Sequence, residues 1–145
     1  MYHVLVPIDD DETRVRSQAE AVLGLAAATD VRAEVLHVYE EIDTPADEAG
    51  SSTIEEINRN LDRIQGLPDT ADLLVELLRE AGVETAVHDG TGDPEEAIHA
   101  VATEFDVDAI VLGARRRSPV GKAIFGSVTQ AVILETDRPV MVSPP

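Results

Sequence analysis

The sequence predicts a single-domain α/β fold over residues 1–145, a doubly wound, mostly parallel five-stranded sheet with helices on both faces. Three observations carry this expectation. Five short apolar runs alternate with stretches of helical periodicity, the order that produces parallel strands joined by covering helices. A length of 145 residues suits one buried core and leaves little room for a second. Apolar residues make up 43% of the chain and aromatics only 3%, so the core must be aliphatic.

The elements follow in order. Val4-Leu5-Val6-Pro7-Ile8 reads as a buried strand, and Val15, Ala19, Val22, Leu23 and Ala26 then recur at helical spacing. The second strand is Ala33–Val38. The acidic stretch Glu40–Thr53, with Pro45 and Gly50, reads as a loop, and Ile54, Ile57, Leu61 and Ile64 form a helical stripe that Gly66-Leu67-Pro68 interrupts. Asp69 is placed to cap a helix carrying Leu74, Val75, Leu78 and Ala81, which stops at Gly82. Thr85–His88 is the third strand. Asp93-Pro94-Glu95-Glu96 is a strong helix start, with an N-cap acid, proline at the first helical position and two acids facing the dipole. Ala97, Ile98, Val101, Ala102 and Phe105 give that helix its buried side. Ala109–Leu112 and Val140–Val142 are the last two strands, and Ser127–Thr136 between them has helical character before Asp137-Arg138-Pro139 ends it.

Charge narrows the function classes. Twenty-nine acids against eleven bases give a net charge of −18, which repels nucleic acid and anionic membrane surfaces. Ten of the bases are arginine, with Lys122 the single lysine. Small apolar side chains, many carboxylates and almost no lysine point to adaptation to molar salt, with an acidic protein of ordinary cytosol as the plainer alternative. Disorder fits poorly with 43% apolar content. Absent cysteine excludes disulfides, thiol catalysis and cysteine-ligated metals. The chain opens directly into Met1-Tyr2-His3-Val4-Leu5-Val6, with no basic and apolar leader pattern, and no apolar stretch reaches the length of a membrane span; a cytoplasmic protein is expected.

In a doubly wound sheet, ligands bind outside the carboxyl ends of the strands where strand order reverses. The loop after the fourth strand is the unusual one. Four of the eleven bases (Arg115, Arg116, Arg117 and Lys122) fall within eight residues there, and no acid occurs from Gly113 through Leu134. A local positive well in so acidic a chain points to a bound anion, and Gly126-Ser127 opening a helix adds backbone donors and a hydroxyl. The bland alternative is a basic loop paired with the protein's own carboxylates.

Other motifs fail on inspection. Gly121-Lys122 lacks a P-loop's context, since Arg116 stands five residues before Gly121 and Ala123 follows Lys122. Gly90-Thr91-Gly92 has Glu95 where a dinucleotide fingerprint needs its third glycine, so it reads as a turn and helix cap. His3, His37, His88 and His99 show no metal-ligand spacing and read as core or surface histidines. No serine sits in a Gly-x-Ser-x-Gly elbow, and nothing identifies a general base poised for hydrolysis.

The segment from Gly113 onward resembles the universal stress protein family. Its nucleotide-binding members have Gly, two residues, Gly, nine residues, then Gly-Ser or Gly-Thr. Here Gly113 and Gly126-Ser127 stand at matching spacing, and Arg116 replaces the middle glycine. Val4–Asp9 is similar to the family's first strand with its acidic end, and Leu36-His37-Val38 to its second. Gly92-Asp93-Pro94 is similar to its third helix start, and Arg138-Pro139-Val140-Met141-Val142 to its final strand, so the resemblance covers the whole chain.

The resemblance implies a Rossmann-like sheet of order 3-2-1-4-5 and a homodimer formed through the last strand. It implies ATP as ligand, alone or with Mg2+. By position, Pro7, Asp9 and Val38 are implicated at the adenosine end. Gly113, Ala114, Arg115, Arg116, Arg117, Ser118 and Pro119, with Gly126, Ser127, Val128 and Thr129, are implicated at ribose and phosphates. Asp9 has an alternative role as the cap of the helix after Ile8, and Thr129 as a packing residue of its helix's first turn. The β-carbon of Arg116 could obstruct close approach of the backbone to phosphate, or its guanidinium could supply a charge-assisted fork in the glycine's place.

Three functions stay open on sequence. The first is a stress-response or regulatory module that binds nucleotide; the second is a dimeric interaction protein without nucleotide; the third is a slow ATPase, for which no residue argues. The charge alone generates a prediction. The Debye length is about 3 Å at 1 M ionic strength and about 30 Å at 0.01 M, so repulsion among surface carboxylates is nearly removed only in concentrated salt. Helical circular dichroism is expected to weaken on dialysis into dilute buffer and to recover in KCl; a melting temperature unchanged across that range would overturn salt adaptation.

Overall fold

A computed structural model describes residues 1–39, 67–114, 116–117 and 123–144. Its elements run β1 (Tyr2–Ile8), α1 (Glu12–Ala26), β2 (Val31–Tyr39), α2 (Asp69–Glu80), β3 (Glu84–Thr91), α3 (Pro94–Phe105), β4 (Ala109–Gly113), β5 (Arg116–Arg117), β6 (Ala123–Ile124), α4 (Ser127–Glu135) and β7 (Val140–Ser143). The main sheet has the order β3-β2-β1-β4-β7, with every neighbouring pair parallel. With β7 as its fifth strand, this is the expected 3-2-1-4-5. The stretch Glu40–Thr53 and the stripe Ile54, Ile57, Leu61 and Ile64 lie outside the described residues.

Alternation along the strands divides the core in two. Val4, Val6, Ala33, Val35 and Val111 face α1 and α2, where they meet Val15, Ala19, Val22, Leu74 and Leu78. Leu5, Leu36, Ile110 and Leu112 face the other way and meet Ile98 and Ala102 of α3 and Val132 of α4. Helices therefore cover both faces. Of the apolar residues this helix was expected to carry, Leu74 and Leu78 are buried, Val75 is half-buried, and Ala81 is exposed at the C-cap.

Several boundaries differ from the sequence expectation, each for a local reason. Asp69 is the first helical residue of α2 rather than its cap, because Pro68, already extended at ψ 157°, takes the N-cap position. Gly90 and Thr91 continue β3, since β2 offers partners as far as Tyr39; the turn begins only at Gly92, whose φ of 97° favours glycine. The loop after β4 folds back on itself, with Arg116 opposite Ile124 and Arg117 opposite Ala123 in an antiparallel ribbon.

The β1–β4 ladder is short. It joins Val4 to Ala109 and Leu5 to Ile110, whereas β1 pairs with β2 from Tyr2 to Ile8. Pro7 has no N–H to extend the shorter ladder. Gln18 of α1, fully buried, donates its Nε2 to Pro7 O at 2.7 Å and to Val111 O at 3.0 Å. The strands part here, and the amide holds the parting.

A second polar feature lies mid-sheet. Glu34 of β2 is wholly buried on the α3 face, held by Arg32 Nε at 2.8 Å, His3 Nε2 at 2.9 Å and His88 Nε2 at 2.5 Å. Phe105 packs its ring against both histidines. Burial alone would raise the Glu34 carboxyl, but hydrogen bonds from Arg32, His88 and His3 outweigh it and hold the group below its ordinary 4.5. Burial also holds His37 below its ordinary 6.5, against the charges of Asp10 and Asp89.

Both groups bind protons less readily folded than unfolded, so both stabilise the fold at neutral pH. That stability is expected to fall first below pH 6.5, through His37, and again below pH 4.5, through Glu34. Glu34→Gln should cost about 1–3 kcal/mol at neutral pH and flatten the second fall. Urea midpoints in molar KCl across this range provide the check; a parent-like acid profile in Glu34→Gln would refute the assignment.

Candidate functional site

The parting of β1 and β4 opens a crevice of about 640 Å³ at the carboxyl ends of the strands, within the range of about 300–1,000 Å³ common for small-molecule sites. Leu36 and Val38 of β2, Ile98 of α3 and Leu112 of β4 give it an apolar floor. Pro7 to Asp11 and Arg14 form one wall, and Gly113, Gly126, Ser127, Val128 and Thr129 form the other, with Pro94 at the rim.

Of the expected site residues, Pro7, Asp9, Val38, Gly113, Gly126, Ser127, Val128 and Thr129 all line this crevice. Residues far apart in sequence thus meet because the topology delivers them to one edge. Ala114 is buried instead, and its N–H donates to Ser143 O at 2.8 Å, closing the end of the β4–β7 pairing. Arg116 and Arg117 supply backbone to the ribbon. Arg115, Ser118 and Pro119 lie outside the described residues.

The acidic wall is internally organised. Asp11, not Asp9, caps α1, its Oδ1 accepting from Arg14 N at 3.0 Å. Asp9 accepts from Asp11 N at 3.1 Å and forms an ion pair with the Arg14 guanidinium. The Arg14 stem crosses Gly113 so closely that a β-carbon there would collide with Arg14 Cγ and Cδ. Close approach, not an unusual φ, requires this glycine.

Sequence reading missed Ile8, Asp10, Asp11, Arg14, Leu36, Pro94, Ile98 and Leu112 as lining residues. The apolar ones were assigned to the core, which they also serve. Arg14 carried a faint signal: it follows an acidic cluster at the carboxyl end of a strand, within the first turn of a helix.

The helix ends facing the crevice differ. Asp11 caps α1, and Asp93 caps α3 by accepting from Glu95 N at 3.0 Å. The N-cap of α4 is Gly126, which makes no side-chain cap, and no acid stands in its first turn. Its first N–H groups therefore face the crevice with their dipole uncompensated by side chains, the condition under which a helix start receives an anion. Among the described residues no histidine lines the crevice.

A protein described as Universal stress protein from Mycolicibacterium smegmatis is 35% identical over 69 residues, 47% of this chain; the match spans about half (53%) of that relative. A protein from Thermus aquaticus, described as Universal stress protein in QAH/OAS sulfhydrylase 3'region, is 29% identical over 143 residues, 98% of both chains. The solved structure of a universal stress protein from Archaeoglobus fulgidus superposes with a TM-score of 0.70 at 27% identity, covering 99% of this chain and 98% of that one. A universal stress protein from the same organism, solved in complex with dAMP, gives 0.67 at 23% identity over 99% and 98%. The crystal structure of a universal stress protein in complex with cAMP gives 0.60 at 19% identity over 99% and 96%. The sequence profile of the Universal stress protein family matches residues 1–144, and this chain belongs to that family.

Proposed function

We propose that this chain is a nucleotide-binding regulatory module that takes ATP in the crevice between β1 and β4. The observation that carries the reading is the uncapped, acid-free start of α4 at Gly126–Thr129, on the wall facing an apolar floor wide enough for a nucleoside. In a chain of net charge −18, the acid-free segment Gly113–Leu134 strengthens it. Relatives solved with dAMP and cAMP support a nucleotide as the ligand class.

In this reading Pro7, Asp9 and Val38 bound the adenosine end. The phosphates lie against Gly113, the basic loop and the α4 start. Asp9 and Asp11 already hold Arg14 and the α1 N-terminus, so Asp10 is the carboxylate of that wall left to meet a Mg2+ carried by the phosphates. The chain acts by binding rather than by turnover; steady-state phosphate release from ATP above buffer would favour a slow ATPase instead. The homodimer belongs to the same proposal. β7 is an edge strand of half-buried Val140, Met141 and Val142, and such edges are usually covered or paired. A two-fold pairing with its copy would cover it.

Titration calorimetry in molar KCl tests the ligand. Ser127→Asp puts a carboxylate where the phosphates bind and should weaken ATP by at least about tenfold without lowering the melting temperature, since an acid suits a helix start. Charge-assisted bonds are worth about 1.5–3 kcal/mol, so Arg116→Ala should weaken ATP by about one to two orders of magnitude while adenosine binding changes little. Tighter binding by Arg116→Gly would show that Arg116 obstructs. No heat from ATP, ADP or AMP with the parent would sink the nucleotide reading and favour a dimeric interaction protein. Sedimentation at micromolar concentration in molar salt checks the dimer; monomer alone would refute it.

A further inference from the structure

Outside the crevice, one side-chain cluster is unexplained by packing or by nucleotide. Glu95 and His99 lie one turn apart on α3, and Glu135 ends α4 beside them; one ligand atom from each falls within 4.8 Å of the other two. His99 Nε2 is buried and makes no hydrogen bond among the described residues. Glu135 occupies the last position of α4, where the helix dipole disfavours an anion, and no base stands in that final turn. Among the described residues neither glutamate forms an ion pair with arginine. Two carboxylates thus meet with no cationic side chain paired to them among the described residues.

We propose that Glu95, His99 and Glu135 form a site for a divalent transition metal of the zinc type, joining α3 to α4. One imidazole and two carboxylates match the three-protein-ligand zinc arrangement, with water completing a tetrahedron. The imidazole argues against Mg2+ and Ca2+, which take oxygen ligands. Bonds of about 2.0–2.1 Å place tetrahedral ligands about 3.4 Å apart, a contraction that requires small rotations of the Glu95 and Glu135 side chains.

The hydrogen bond with Glu135, then burial, then the charges of Glu135, Asp93 and Glu96 raise the Glu95 carboxyl above its ordinary value. Sequence spacing could not disclose the site, because its third ligand comes from a different helix. Its place in the fold matters: α3 also carries Pro94 and Ile98, and α4 carries Ser127–Thr129, so the ion ties together two helices that line the crevice.

Zn2+ titration of the full chain in molar KCl, where diffuse attraction to the acidic surface is screened, provides the test. The expected result is one tight equivalent per chain, undisplaced by excess Mg2+. Glu135→Gln and His99→Ala should each weaken it at least about tenfold, and Glu104→Gln, outside the cluster, should not. Zn2+ should raise the melting temperature of the parent but not of Glu135→Gln. Glu135 is exposed, so that variant keeps its fold even if His99→Ala loses it. Parent-like Zn2+ affinity in Glu135→Gln, or no saturable Zn2+ heat with the parent in KCl, would overturn the proposal.

Discussion

The architecture turns on two carbonyl groups. Where β1 and β4 part, Pro7 O and Val111 O would be left in the interior without donors, a cost of about 1–3 kcal/mol each. A side-chain amide carries two donors on one nitrogen, and Gln18 Nε2 gives one to each. Pro7 makes the parting necessary, because it lacks the N–H that would carry the ladder forward. Gln18 makes it tolerable. The crevice lies just beyond that point, and the loops that line it depart from strands already diverging.

From this follows a division of charge. The wall contributed by the β1 end is acidic but largely satisfied within itself, with Asp9 on Arg14 and Asp11 on the α1 backbone. The Arg14 guanidinium is thus matched by a neighbouring carboxylate and adds little net attraction for an anion. What remains positive is the α4 start and the acid-free sequence leading to it. The buried Glu34 is handled differently: three donors surround it mid-sheet, as an isolated carboxylate there would be far too costly. Interior charge is paired, and the exposed helix start is left open.

How much of this was legible in the sequence depended on how local the cause was. Apolar runs such as Val4–Ile8 and Ala109–Leu112 fall within β1 and β4, because a strand buried on both faces needs little context to be read. Asp93-Pro94 marked the start of α3 because capping is chemistry between near neighbours. Gln18 was passed over, since a polar residue beside Val15, Ala19 and Val22 interrupts an apolar stripe until two distant carbonyls explain it. Glu34 was hidden in the same way, its partners His3 and His88 lying on other strands. The site residues were legible only in part: Gly113 and Gly126-Ser127 through the family spacing, Asp9 as the acid ending a strand. Arg14 depended on a contact across the crevice mouth that no periodicity records.

The ribbon bears on the replacement of glycine by arginine at position 116. Gly113 and Gly126 must both reach the crevice, and the chain between them closes by pairing Arg116–Arg117 with Ala123–Ile124. Paired strand backbone is conformation that any L-residue adopts. A β-carbon at position 116 therefore costs the backbone nothing here, unlike one at Gly113, where Arg14 already fills the space. The two positions answer different demands. At Gly113 a side chain would collide with Arg14, whereas at position 116 the paired backbone does not call for glycine, and a guanidinium is a group that phosphate accepts. The departure from the family spacing thus falls where the backbone conformation admits any residue and where the chemistry of arginine favours the proposed ligand.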